Sequence, residues 1–114
     1  MDYPAFATFG VERDLDEYTT VFEQIVTISM GSASKRGIKN IDDVLKWNFG
    51  SSTFLDKKIQ IDTFDAIVMK HKDEAGVIAE DYLVFLKAYD RLYTFWMIDP
   101  LYEERIFKSF KVVK

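Results

Sequence analysis

Near the end of the chain, residues 92–98 place apolar side chains on both alternations: Tyr93, Phe95 and Met97 on one, Leu92, Trp96 and Ile98 on the other. Period two with both faces apolar predicts a strand covered above and below. The run breaks at Asp99-Pro100, where an aspartate that caps well precedes a proline suited to the first helical position. Tyr102, Ile106 and Phe110 then recur four apart, with Glu103 and Glu104 in the first turn and Lys108 in the last. That spacing and charge order predict a strand-to-helix junction followed by an amphipathic helix.

Upstream, AFATFGVE at 5–12 reads as a strand with a kink at Gly10. Asp14 to Glu17 has the form of a capping box, and Leu15, Tyr18, Phe22, Ile25 and Val26 follow at helical spacing up to Gly31. Residues 15–30 are therefore expected to form an amphipathic helix on a sheet. GSASKRGIKN at 31–40 reads as an exposed loop, and Asn40 is placed to cap a short helix over 41–48. Strands are expected around Phe54 to Ile61, after a bend at Asp62-Thr63, and from Val77 onward past a turn at 73–76. Asp90-Arg91 is expected to form the next hairpin turn. The whole predicts one α+β domain, 1–114, in the order β-α-α-β-β-β-β-α. Its mainly antiparallel sheet would be packed between helices as an α/β/α sandwich, with Trp96 or Phe95 at the core centre.

Composition narrows the function classes. Aromatic residues make up 16% of the 114-residue chain, so the core is expected to be built from large rings. A net charge of −4 opposes a nucleic-acid backbone or an anionic membrane surface as the main partner. With no cysteine, disulfides and thiolate chemistry are excluded. No apolar run is long enough to span a bilayer, and MDYPAFATFG lacks the basic and apolar regions of a signal peptide.

Candidate chemistry is sparse. His71, the only histidine, lies between lysines in KHKDE without a motif that would orient it, and reads as a strand or surface residue. The Asp14-Asp16 and Asp42-Asp43 pairs sit where helix starts favour negative charge. Asp62, Asp65, Asp73, Glu74, Glu80 and Asp81 form the densest acidic stretch. It reads as a solvated hairpin edge, or as a rim that recognises a basic partner or a divalent ion. SKRGIK at 34–39 and KKIQ at 57–60 read as solvated faces. Trp47, beside a glycine loop, joins Asp73 and Glu74 as a candidate partner contact. No catalytic, cofactor-binding or metal-binding residue is assigned.

The tail resembles the PsbP/DcrB/Mog-type superfamily. Tyr93, Thr94 and Phe95 match its last strand, Ile106 and Phe107 its last helix, and Ser109, Phe110, Lys111 and Val112 its closing motif. I-D-T-F-D-A at 61–66 resembles a family strand entry, with Thr63 where glycine and Asp65 where proline is usual. Asp14 to Phe22 resembles the first helix, while the helix at 41–48 is an addition and the N-terminal hairpin is short. The resemblance implies an antiparallel sheet between helix layers, and a non-enzymatic binding or assembly accessory of a bacterial cell envelope with a protein partner. The short hairpin would leave one sheet edge open to a homodimer contact. A different class is a small-ligand domain with an aromatic-lined pocket built from Tyr82, Tyr89, Tyr93 and Tyr102, including one with weak hydrolase or isomerase activity.

Overall fold

A computed structural model describes residues 5–14 and 20–114. Six strands, β1 (Ala5–Asp14), β2 (Thr20–Ser32), β3 (Thr53–Ile61), β4 (Phe64–His71), β5 (Tyr82–Ala88) and β6 (Arg91–Met97), form one sheet. Every neighbouring pair is antiparallel, in the order β1-β2-β6-β5-β4-β3. The sheet dominates the molecule, and this overturns the expected helix-layered α/β/α sandwich.

The largest correction falls on the helix expected over 15–30. Residues 20–32 are strand, and residues 15–19, with most of the expected capping box, lie outside the described residues. Six of the 13 residues of β2 are β-branched, and such side chains lose freedom in a helix but pack well on a pleated surface. The ladder with β6 puts Val26 opposite Met97 and Ile28 opposite Phe95, so the apolar spacing serves alternation instead of helical turns. That ladder begins at Val26, and residues 20–24 pair with β1 alone. The kink expected at Gly10 is a register shift between Phe9 and Gly10.

Each face of the sheet carries a thin cover. On the first, α1 (Glu103–Ser109) and the chain end lie over β2, β6, β5 and β4. Phe107 and Phe110 meet the fully buried Phe95 edge-on, with ring centroids 5.9 and 4.8 Å away. Asp99 caps this junction as expected, accepting from the Leu101 N–H at 3.1 Å, with Pro100 next in line. On the second face the cover is the segment 33–49, which holds 3₁₀ turns at Ser34–Arg36 and Ile41–Lys46. Asn40 and Asp43 form a reciprocal cap on the second turn. Trp47, Phe49 and Phe85 stack mutually at 5.8–6.2 Å over Ile67, Met69 and Leu92.

The hairpins follow local chemistry. Asp62 and Thr63 turn β3 into β4 with φ of 49° and 70°, the left-handed pair that a two-residue hairpin needs. The β5–β6 turn sits at Tyr89-Asp90, one residue earlier than expected, with Tyr89 at φ 54°. Asp90 accepts from the Ser34 N–H at 2.8 Å and so ties this turn to the second-face segment. Among the described residues no helix is long and apolar enough to cross a membrane.

Candidate functional site

The segment 33–49 covers only part of the second face. It reaches Leu92 on β6 and Phe85 on β5, but Trp96, further along β6 on the same face, is 45% exposed. Trp96 was expected in the core, and that expectation fails. Its register partners explain why: Thr27 lies opposite on β2 and Leu83 on β5, and the Thr8 and Thr27 hydroxyls bond each other at 3.0 Å. Short polar side chains on that flank leave the indole plane open.

The indole is held in place although it is exposed. Its Nε1 donates to Asp81 Oδ2 at 3.0 Å, and the other oxygen of that carboxylate lies 3.8 Å from His71 Nε2. A Trp with its one donor engaged keeps a defined ring orientation at little entropic expense when a partner arrives.

The excursion between β4 and β5 ends at Asp81, the residue that holds this ring. Lys72 bridges to Ile78, the Ala79 N–H donates to the His71 carbonyl at 2.9 Å, and Gly76 takes φ 82° at the bend. Asp73 accepts from the Val77 N–H through Oδ1 at 2.9 Å, so its carboxylate shapes the turn. Glu74 and Glu80 are exposed, as are Val77 and Ile78 at 62% and 52%. Residues 72–81 carry four carboxylates against one lysine, but Ile78 and Glu80 face the Tyr82 and Glu103 side of the sheet, so Asp81 is the carboxylate placed on Trp96.

The sequence-based candidates are only partly brought together. Asp73 and Glu74 do lie in this excursion. Trp47 lies on the same face but is half-buried, edge-on to Phe85 at 5.9 Å, and serves as core cover. His71 lies exposed at the end of β4, as expected, with Asp81 beside it. The tyrosines do not converge. Tyr82 is buried, its phenol pushed well above its usual range by burial and by the Glu103 carboxylate. Its hydroxyl has no hydrogen-bond partner among the described residues. Tyr93 packs on Phe110, Tyr89 on Phe64, and Tyr102 sits beyond the sheet in the C-terminal segment.

Trp96 and Asp81 were not singled out as a contact pair from sequence. One signal was present: Thr94 shares the alternation of Leu92 and Trp96, and its polarity marks that face as only partly covered. The bond from Trp96 to Asp81 spans a hairpin and has no sequence signature. Among the described residues no three His, Asp or Glu side chains converge to hold a metal ion.

Compared with family models, curated proteins and solved structures, the chain finds no match.

Proposed function

We propose that the protein is a non-catalytic binding module that docks a basic, extended segment of a protein partner on the open sheet face around Trp96. The single observation that carries this reading is the half-exposed indole of an interior strand, oriented by Asp81. Tryptophan is enriched among the residues that dominate binding energy, and its face attracts the cationic heads of arginine and lysine. The Asp81 carboxylate on the indole supplies a complementary negative charge, within a chain of net charge −4. The same negative charge opposes a nucleic-acid backbone.

Fluorescence titration with Arg/Lys-rich peptides, in a Trp47→Phe background so that Trp96 alone reports, tests the reading. Saturable quenching that weakens with salt is expected, with a tenfold or greater loss on Trp96→Ala, on the order of 2 kcal/mol. Asp81→Asn is expected to weaken binding less. Equal affinity for acidic and basic peptides, or full retention of binding by Trp96→Ala followed calorimetrically, rejects it.

A further inference from the structure

The first face of the sheet is also incompletely covered, for a geometric reason. Six strands spaced about 4.8 Å apart are wider than one helix of about 10 Å diameter can cover. Helix α1 sits over the central strands, and between it and the β1–β2 pair lies a groove of about 380 Å³. Phe9, Ile25 and Ile28 line its sheet side, and Tyr102, Ile106 and Phe110 its helix side. Gly10 lies on its sheet side as well and, at the register shift, adds no side chain.

Among the described residues Arg105 is the one charged residue lining the groove. Its helix neighbours are engaged: Glu104 pairs with Lys108 at 2.6 Å, and Glu103 lies 4.0 Å from Lys57. Arg105 pairs with no carboxylate among the described residues. A mostly apolar trough with a single available guanidinium is complementary to a ligand with one long tail and one anionic head. The volume lies near the low end of small-molecule sites, which span roughly 300–1,000 Å³, and so suits one acyl chain better than two.

We propose that this groove binds a single-chain carboxylate amphiphile of the fatty-acid class, its tail along Ile25, Ile28 and Phe110 and its carboxylate on Arg105. The site is on the opposite face from Trp96 and stands independently of the reading given to that surface.

Calorimetric titration with decanoate below its micelle range, together with 1-decanol and butyrate as controls, tests the proposal. Decanoate is expected to bind one to one, with affinity rising about fourfold per added methylene until the groove is full. Decanol is expected to bind about tenfold more weakly for want of the charge-assisted pair, and butyrate not to saturate. Arg105→Glu should cost decanoate about tenfold while leaving decanol unchanged, and Arg105→Lys should keep most of the affinity. Ser109→Trp, which fills the groove from the helix side, should weaken decanoate and decanol together. Circular dichroism checks that Arg105→Glu is folded; if it is not, Arg105→Gln takes its place. Absence of saturable decanoate binding overturns the proposal. So does an affinity unchanged by both Arg105 variants and Ser109→Trp, or one lost on Trp96→Ala. A preference for the carboxy-terminus of an apolar peptide over decanoate assigns the groove to another ligand and also overturns it.

Discussion

Phe95 and Trp96 are chain neighbours with opposite fates, because successive side chains on a strand face opposite sides and the two sides here are covered unequally. Phe95 is fully buried against Phe107 and Phe110, so Phe95→Ala leaves a large cavity and is expected to cost roughly 3–5 kcal/mol. Trp96→Ala removes a half-exposed ring and one hydrogen bond, and is expected to cost about 1 kcal/mol. Urea denaturation of both variants checks the contrast, and equal losses would contradict the assignment of faces. The alternation was legible in the sequence, but how far each cover extends was not, since that depends on where distant segments fold back. Asp43 shows a residue whose role was readable. The Lys39 and Asn40 N–H groups, with Lys46 beside them, lower its carboxyl from the usual 3.8 to about 2. A depressed folded-state value means that the contribution is complete above the unfolded value and is lost as pH falls towards the folded one. Thermal stability is therefore expected to drop between about pH 4 and pH 2, and to drop less steeply in Asp43→Asn. A slope unchanged by that substitution would show that the cap adds nothing.

Elements fixed by local chemistry were legible: the Asp99-Pro100 junction, the Asn40 cap, the Gly10 irregularity and the bend at Asp62-Thr63 each arise within a few residues. The segment over residues 15–30 was misjudged because apolar positions at 22, 25 and 26 satisfy helical spacing, whereas its β-branched content favours a strand. The decisive influence was non-local, in that Val26 and Ile28 complete an apolar face with Met97 and Phe95 from about 70 residues away. Turn chemistry supplies a prediction at this scale. Thr63 is a β-branched residue held at φ 70°, a conformation that glycine adopts without the steric cost of roughly 1–2 kcal/mol. Thr63→Gly loses part of that gain to greater freedom of the unfolded chain, so a net stabilisation of about 0.5–1 kcal/mol is expected. A lower thermal midpoint in the variant would show that the hydroxyl or methyl of Thr63 matters more than its backbone.

For the molecule as a whole, the two outer strands are unlike. The β3 edge carries Asp56, Lys57 and Lys58 and is broken by a register shift between Leu55 and Lys57, both of which hinder pairing with another sheet. The outer edge of β1 pairs with no strand among the described residues, and its sequence from Ala5 to Val11 holds no charge. Self-association is therefore expected through β1, and light scattering at roughly tens of micromolar should give about twice the 13.3 kDa chain mass. A mass of one chain under those conditions would rule this edge contact out. The length of β2 sets a further property. Because residues 20–24 pair only with β1, that end of the hairpin is a two-stranded ribbon extending past the ladder of β6. Two strands alone are marginally stable in water, so the ribbon can open without disturbing the centre of the sheet. In native-state hydrogen exchange, amides at 21–24 should exchange within minutes by local opening, while those of Val84 and Phe95 should exchange only as the whole molecule unfolds. A protease should likewise nick the ribbon first and leave behind a folded remainder in which residues 26–32 of β2 still pair with β6, beside β5, β4 and β3.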